Sequence, residues 1–272
     1  MGLKINTNVA ALNTARTLRR STGALNQSMQ RLSSGLRINR AADDAAGLAI
    51  AEGFKSQVSG TQVSQRNAQD GISLVQTAEG AISETQNILQ RIRELSVQSS
   101  NGTLSDANRA AINTEVQQLL SQVDAIATQT EFNGINVLST AQTVTLQAGA
   151  QVSQTLSISV AGAKTSDLGV NGVVVSSMAL AVSAISTIDT ALKSISTLRS
   201  TLGAYQNRLE FTINTLAVQE ENAASSESAI RDADIAQETV KFTRNQILVS
   251  SGTSILAQAN VIPQSALQLL GR

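Results

Sequence analysis

The feature that most restricts the fold of this chain is a long stripe of aliphatic residues in its C-terminal half. Successive members are spaced by three, four or seven residues: Ile185, Ile188, Leu192, Ile195, Leu202, Leu209, Ile213 and Leu216. This spacing is typical of a coiled-coil seam and predicts one continuous helix of about 40 residues, roughly 60 Å long. Arg199 and Gln206 interrupt the stripe. Because a polar seam residue usually fixes register at some expense in stability, we predict a register-setting role for both.

Both ends of the chain carry similar apolar stripes. The N-terminal stripe comprises Leu18, Leu25, Met29, Leu32 and Leu36, and the C-terminal stripe repeats every seven residues at Ile235, Phe242, Val249 and Leu256. Such a stripe needs a covering partner, and a terminal segment has few intrachain choices beyond the opposite terminus or another molecule. We therefore predict that these residues pack the two terminal helices together.

Two more helices and a β-hairpin are predicted between these stripes. Residues 71–98 carry apolar residues at intervals of seven, and Ser105 has the residue type of an N-cap for a further helix. Between residues 132 and 175 the apolar period changes to two, which predicts a hairpin near 143–160. The dipeptides Asn133-Gly134 and Asn171-Gly172 bracket this region as turns. The predicted fold is mainly α, an elongated antiparallel helical bundle or coiled coil with a small β-hairpin region.

Composition argues against catalysis. The chain has no His and no Cys, which removes the commonest general base, transition-metal ligand and thiolate nucleophile. The adjacent acids Asp43 and Asp44 could suggest a metal site, but the sequence around them favours capping of a helix that begins near Ala45 and bonding to Arg37 or Arg40. Asp232 and Asp234 receive the same interpretation. We expect no enzyme activity, no cofactor and no metal.

Charge and hydropathy bear on the possible partners. Twenty basic residues balance twenty acidic ones, so there is no whole-chain basic field to attract nucleic acid or an anionic membrane. No run of about 18 apolar residues is evident to span a bilayer, and the N-terminus lacks the apolar stretch of a secretory signal. We expect neither nucleic-acid binding nor membrane insertion.

Several segments together resemble one known family. Residues 32–50, LSSGLRINRAADDAAGLAI, closely resemble the N-terminal signature of bacterial flagellins. Similar counterparts are MGLKINTNVAALNT at the start, LQRIRELSVQSSNGT from Leu89, EFNGINVL from Glu131 and ANVIPQSALQLL near the end. These segments cover both terminal thirds and much of the interior in the family's usual order.

The resemblance implies a subunit of the extracellular flagellar filament, self-assembling for swimming motility. It implies an inner terminal-helix domain formed by residues 1–44 and 230–272 that lines the filament channel. A helical domain would comprise residues 45–175, with the hairpin, and the long helix of 176–229. Only about 40 residues separate EFNGINVL from that helix, so the chain resembles a short flagellin without large outer domains. Implied partners are copies of itself, a flagellar export chaperone, and cap and junction proteins, with secretion through the flagellar type III apparatus.

The resemblance also implies a second role. In flagellins the LQRIRELSVQ helix is contacted by the vertebrate flagellin-sensing Toll-like receptor, so a host innate immune receptor is a further expected partner. By motif match, Gln90, Arg91 and Leu95 would lie in that contact, with Glu115 on the next helix. Leu95 also lies beside a packing stripe, and this face could instead pack against a neighbouring subunit.

The monomer is expected to differ from the assembled subunit. Roughly the first 40 and last 40 residues would expose their stripes in a monomer, with too little partner area to offset the entropy of ordering, so we predict that they order on assembly. The alternatives are the hook–filament junction protein of the same apparatus and an unrelated coiled-coil scaffold or secreted adhesin. A scaffold would form a closed dimer or trimer and would not elongate without limit.

Overall fold

The computed structural model describes residues 7–270 and is mainly α, as predicted. The elements follow in the order α1 (Val9–Ser34), α2 (Ala45–Ser99), α3 (Asp106–Gln129), β1 (Glu131–Phe132), β2 (Ile135–Asn136), β3 (Gln142–Gln147), β4 (Thr155–Val160), α4 (Met178–Arg231) and α5 (Ile235–Leu270). Residues 1–6 and 271–272, which belong to the predicted terminal domain and include the first residues of the MGLKINTNVAALNT segment, lie outside the described residues.

The chain forms two compact units. Unit 1 contains the described residues up to Ser56 together with those from Asn222 onward, and unit 2 contains Gln57–Glu221. The domain boundaries predicted at 44/45 and 229/230 follow helix ends instead, because α2 begins at Ala45 and α4 ends at Arg231. Both long helices, α2 and α4, contribute residues to both units.

In unit 1 the two terminal helices pair in antiparallel fashion. The Asn8 side-chain amide donates to the Ala259 carbonyl at 2.8 Å, and the Ser28 hydroxyl donates to the Glu238 carboxylate at 2.7 Å. Asn8 also caps α1, because its Oδ1 accepts from the Ala11 N–H at 3.0 Å. At the other end α1 stops at Gly35, whose φ of 72° is a left-handed conformation that glycine adopts without steric cost.

Unit 2 is built on α2, α3 and α4. Polar contacts show that α2 and α4 are antiparallel, since Gln62 bonds Glu220 near one end and Arg93 bonds Asp189 near the other. The predicted long stripe of α4 lies in this core, where Ile188, Ile195, Leu202 and Leu209 are fully buried. Their partners include fully buried side chains of α2 and α3: Val75, Ile82, Leu89, Ile92, Val116 and Val123. The predicted helix 71–98 is the second half of the 55-residue α2.

Two antiparallel hairpins complete unit 2. Strands β1 and β2 are joined by Asn133-Gly134, both with positive φ (51° and 75°), as the two-residue turn requires. In the larger hairpin Val144 pairs with Ile158 and Leu146 with Leu156. Leu156, Ile158 and Val160 are buried, so the period of two correctly predicted which side of β4 faces the core.

The expectation of no bilayer-length apolar run requires correction. Within α4 an 18-residue stretch has a mean hydropathy of 1.3, enough by length and composition to cross a membrane, and 28% of it is buried. The core helix of a folded domain meets the same criterion. Because α4 supplies the seam of unit 2, packing accounts for its apolar character.

Candidate interaction surfaces

Many of the exposed large apolar side chains among the described residues lie on the terminal helices of unit 1. A pair of helices can bury only the facing stripe of each, so apolar residues elsewhere on them remain exposed. These are Val9, Leu12 and Met29 on α1, and Ile235, Val240, Ile247, Leu248, Ile255 and Val261 on α5. Exposed apolar surface of this extent is typical of a protein interaction site.

The residues predicted to pack the terminal helices fall into two groups. Seven of them are half-buried between or beside the helices: Leu18, Leu25, Leu32, Leu36, Phe242, Val249 and Leu256. Met29 and Ile235 remain 51% and 50% exposed, so α1 and α5 do not cover them. The helices are in close contact where Leu18 meets Gly252, since a Cβ at Gly252 would lie 3.2 Å from Leu18 Cδ1.

A buried carboxylate joins α1 to α5. Glu238 is only 4% exposed and accepts from Ser28 and from Lys241 Nζ at 3.1 Å, with Arg31 at 3.9 Å. Burial by itself would raise the pKa of Glu238, but the two hydrogen bonds and the two positive charges outweigh it and lower that pKa below its ordinary value. Glu238 is therefore held as a carboxylate near neutral pH.

The segment between α1 and α2 docks on the turn between α4 and α5. The Arg37 N–H donates to the Arg231 carbonyl at 2.7 Å, and the Ala233 N–H donates to the Gly35 carbonyl at 2.9 Å. These two backbone hydrogen bonds tie the N-terminal part of unit 1 to its C-terminal part.

Of the four acidic residues of this region, Asp44 and Asp234 cap helices as predicted, whereas Asp43 and Asp232 do not. Asp44 accepts from the Gly47 N–H at 2.9 Å at the start of α2, and Asp234 accepts from the Gln237 N–H at 3.1 Å at the start of α5. Asp43 accepts from the backbone N–H groups of Arg40 and Asn39, which lower its pKa. Asp232 accepts from the Ser228 hydroxyl at 2.6 Å. Within residues 7–270 there is no group of three His, Cys, Asp or Glu side chains that could hold a metal ion.

The four predicted receptor-contact residues occupy two environments. Gln90 is exposed, and Arg91 forms an exposed ion pair with Glu115 across α2 and α3 at 3.0 Å, with Glu94 at 3.3 Å. The hydrogen bonds that Arg91 donates to Glu115 and Glu94 raise the pKa of Arg91. Leu95 is only 2% exposed and lies in the core, so its prediction as a surface contact is not supported, and its burial favours the packing alternative.

The two predicted register-setting residues also differ. The Arg199 guanidinium reaches from α4 to α2, donating to Gln86 at 2.9 Å and to Glu79 at 3.4 Å. The Gln206 amide donates to Glu210 on the same helix at 3.3 Å. A hydrogen bond within one helix does not fix the register between two helices, so the geometry favours a register role for Arg199 alone.

A second exposed surface lies on unit 2, beside the larger hairpin. An open groove of about 640 Å³ runs between the hairpin turn, at Ala148 and Gln154, and one face of α4. Phe211 lines the groove and is 72% exposed, and Val218, seven residues further along α4, is also exposed. No local sequence pattern indicates this groove, because its two walls are far apart in sequence.

Sequence reasoning also missed the polar residues that hold the irregular segment 161–177. Asp124 accepts from the Thr165 N–H at 2.9 Å, Gln117 donates to the Val173 carbonyl at 2.9 Å, and Asn113 accepts from the Val175 N–H at 3.0 Å. All three lie on α3, where a polar residue normally faces solvent. No periodicity could have identified them as partners of a segment about 40 to 60 residues away.

A mainly helical chain whose terminal helices leave apolar faces uncovered is typical of a structural subunit that associates with further chains. Comparison with known proteins identifies the family. Residues 5–143 match the bacterial flagellin N-terminal helical region, and residues 185–270 match the bacterial flagellin C-terminal helical region. This chain belongs to the bacterial flagellin family.

Individual relatives agree over almost the whole length. A flagellin of Halalkalibacterium halodurans is 46% identical over 98% of this chain and 99% of its own. The flagellar filament 31.3 kDa core protein of Treponema maltophilum is 45% identical, with the same coverage of 98% and 99%. A crystal structure of Bacillus cereus flagellin has a TM-score of 0.50 and 31% identity, covering 56% of this chain and 88% of that one. The near-complete match to relatives of similar length agrees with a short flagellin.

Proposed function

We propose that this chain is a structural subunit of the bacterial flagellar filament, a secreted protein that polymerises outside the cell for swimming and performs no catalysis. The observation that carries the proposal is the match to both flagellin helical regions together with near-full-length relatives, one of them named as a filament core protein. The uncovered apolar faces of α1 and α5 provide the surface that such a polymer needs.

Polymerisation follows from complementary surfaces repeated by an operation that does not close into a ring. The apolar face of α5 formed by Val240, Ile247 and Ile255 would be covered by terminal helices of neighbouring copies. Each large aliphatic side chain that becomes buried contributes about 1.5–3 kcal/mol. In unit 2 the groove beside Phe211 offers a further contact for another copy.

Ordering of the terminal helices would accompany assembly. Among the residues that the structure describes, the α1–α5 pair buries no large side chain completely, whereas backbone ordering costs about 1–2 kcal/mol per residue. Covering by neighbouring copies would offset that cost. This coupling would also prevent premature polymers, because an unassembled subunit would present no preformed end.

Seeded polymerisation tests the proposal. Purified monomer is mixed with short flagellar fragments, and growth is followed by light scattering and electron microscopy. We expect long uniform filaments from the full chain and from an Ile247→Leu variant, which keeps the apolar face. Ile247→Asn combined with Val240→Asn should raise the critical concentration at least tenfold.

Two results would contradict the proposal. Growth that is indifferent to the asparagine substitutions would exclude the α5 face as an assembly surface. A discrete oligomer that ignores seeds would instead favour the junction-protein or scaffold alternative.

Export and chaperoned assembly belong to the same proposal. We propose that the subunit leaves the cell through the flagellar type III apparatus, with an export chaperone, a distal cap and junction proteins as partners. A strain without the flagellar export gate should retain the chain inside the cell, whereas loss of the general secretory route should leave its export unchanged. The opposite result would contradict this route.

We also propose that the monomer is recognised by the flagellin-sensing Toll-like receptor through the exposed surface around Gln90, Arg91 and Glu115. The observation that favours it is a solvent-exposed Arg91–Glu115 pair on the helix that carries the motif. The same face could pack against a neighbouring subunit, so the receptor would contact it only in the monomer.

The receptor test has a matched control in the same helix. Arg93 and Asp189 form another half-exposed ion pair, joined at 2.7 Å. Arg91→Ala with Glu115→Ala should reduce receptor signalling by the monomer at least tenfold, while Arg93→Ala with Asp189→Ala should not. Equal signalling by both double variants would contradict the assignment. Leu95 is unsuitable for this test because truncating it would disturb the core.

A further inference from the structure

The zero net charge of this chain conceals a strong separation of charge along the sequence. Residues 1–42 and 239–272 contain ten Lys and Arg residues and no Asp or Glu. Residues 43–238 contain all 20 acidic residues and the other ten basic ones. The terminal segments can therefore attract anionic partners despite the zero net charge of the whole chain, since local charge determines what a surface attracts.

Three of the ten basic residues in the terminal segments lie on one face of α1. Val9, Leu12, Arg16, Arg19 and Arg20 follow one another at intervals of three, four, three and one residue, so they share the side that faces away from α5. All five are exposed, Val9 and Leu12 by 58% and 59%. We call these five residues the α1 outer face.

No carboxylate neutralises the α1 outer face within the described part of the chain. Helix α1 contains no acidic residue, and the stretch of α5 opposite it is uncharged, because Asn8 bonds Ala259 and Leu18 lies against Gly252. Arg31, further along α1, differs in facing Glu238 at 3.9 Å. The three arginines of the α1 outer face thus keep their full charge toward solvent.

We propose that the unassembled subunit binds an anionic lipid surface through the α1 outer face, and that contact with the lipid orders α1 and α5 there, as contact with neighbouring copies would in the filament. On this face the aliphatic side chains of Val9 and Leu12 would reach the acyl boundary, while the long neighbouring arginine side chains would extend their guanidinium groups to lipid phosphates. Each arginine near an anionic leaflet adds to the attraction, which falls off within a Debye length. Nucleic acid offers the same phosphates, but it provides no apolar layer for Val9 and Leu12.

Vesicle flotation with full-length monomer tests the inference. The vesicles contain phosphatidylcholine with phosphatidylglycerol, or phosphatidylcholine alone. We expect binding only to the anionic vesicles, weakening as salt rises. Arg16→Gln, Arg19→Gln and Arg20→Gln together should lower the partition coefficient by roughly tenfold or more. The matched control replaces three exposed arginines of unit 2, Arg66, Arg91 and Arg93, with glutamine and should bind like the parent.

A second variant separates lipid binding from simple attraction to phosphate. Val9→Ser with Leu12→Ser should weaken vesicle binding several-fold while leaving the weaker binding to duplex DNA unchanged. Equal binding to both vesicle types, equal binding by the two triple variants, or tighter binding to DNA than to anionic vesicles would each overturn the inference. Seeded polymerisation measured on the same preparations keeps this result separate from the filament proposal.

Discussion

The two units of this chain differ in how many large apolar side chains they bury. Every one of the largest fully buried side chains lies in unit 2, where three long helices and a hairpin enclose them. The buried hydrophobic residues of unit 1, among those described, are Ile38, Ala51, Ala223 and Ala259. We therefore expect that unit 2 is stable by itself, whereas unit 1 completes its core with surface from other chains.

The difference also explains where the polar interactions lie. In unit 2, buried Arg109 donates to the carbonyls of Ser99 and Asn101, at 2.9 and 2.8 Å, and so closes the turn after α2. In unit 1 the buried Glu238 links α1 to α5. The Arg109 hydrogen bonds add to a unit that already has a packed apolar core. The Glu238 contacts hold together a helix pair that has little apolar core.

The largest contrast should come from core truncation. Leu202→Ala removes a fully buried side chain of unit 2 and should lower the free energy of unfolding of the monomer by about 2–5 kcal/mol. Leu18→Ala in unit 1 should change monomer unfolding by less than about 0.5 kcal/mol, as surface substitutions do, and instead raise the critical concentration for polymerisation. Denaturant titration followed by circular dichroism measures the first quantity. Equal destabilisation of the monomer would break the comparison.

Two helical glycines sharpen the comparison. A Cβ at Gly71 in unit 2 would lie 2.3 Å from Leu146 Cδ1 of the hairpin, whereas a Cβ at Gly23 in α1 meets nothing within 4 Å. Gly71→Ala should therefore destabilise the monomer by about 1–3 kcal/mol through overpacking. Gly80→Ala, in the same helix but with open space around it, should be neutral or stabilising by up to about 1 kcal/mol.

The glycine pair has a simple readout. Thermal unfolding of the monomer should show a lower Tm for Gly71→Ala and an unchanged Tm for Gly23→Ala. A higher Tm for Gly23→Ala would mean that α1 is already helical in the monomer, because alanine favours a helix over glycine and its Cβ meets nothing at this position.

Replacing the buried Arg109 should lower the free energy of unfolding by a similar or smaller amount than Gly71→Ala. Arg109→Gln leaves the Ser99 and Asn101 carbonyls without their donors, and we expect a loss of about 1–3 kcal/mol in unfolding free energy. Arg93→Gln, which breaks an exposed ion pair, should cost less than about 1 kcal/mol. The same denaturant titration compares the two variants, and equal losses would contradict the structural role of Arg109.

The smallest expected effect is the pH dependence of the terminal helix pair. The pKa of Glu238 is lower in the folded state than its ordinary value of about 4.3, so its contribution is complete above that value and is lost as pH falls through the lowered pKa. Asp43, whose pKa is also lowered, acts in the same direction. Filament stability should thus decline only in acidic solution, as pH falls below the ordinary carboxylate range.

Glu238→Gln isolates this contribution. Filaments of the variant should be less stable at neutral pH and should lose less stability on acidification than the parent, as measured by sedimentation of released monomer. If filament stability fell equally with pH in the two proteins, protonation of Glu238 would not be coupled to filament stability.

The architecture followed from the sequence where local pattern and packing agree. The seam Ile188–Leu209, the N-cap at Ser105 and the β3–β4 hairpin were all predicted, because period and capping chemistry act over a few residues. Predicted α4 was shorter than the observed 54-residue helix, since its Ser- and Glu-rich end carries no apolar stripe. Helix α2 was not predicted as one continuous helix from Ala45 through residues 71–98, because Gly53 and Gly60 lie between these points and glycine normally weakens a helix prediction.

The interaction surfaces were less predictable. The burial of Leu95 and the groove beside Phe211 depend on which distant elements meet, and a single sequence does not specify that. The family resemblance identified the helix that carries Arg91 but could not distinguish its outward residues from its inward one. Charge separation was present in the sequence, but the sum over the whole chain concealed it.

Hydrogen exchange of the monomer and of the filament, measured on the same full-length protein, tests the central claim most directly. We predict that amides of residues 57–221 are protected in both states, whereas amides of α1 and α5 are protected only in the filament. Equal protection of α1, α5 and unit 2 in the monomer would contradict the claim that unit 1 completes its fold by assembling.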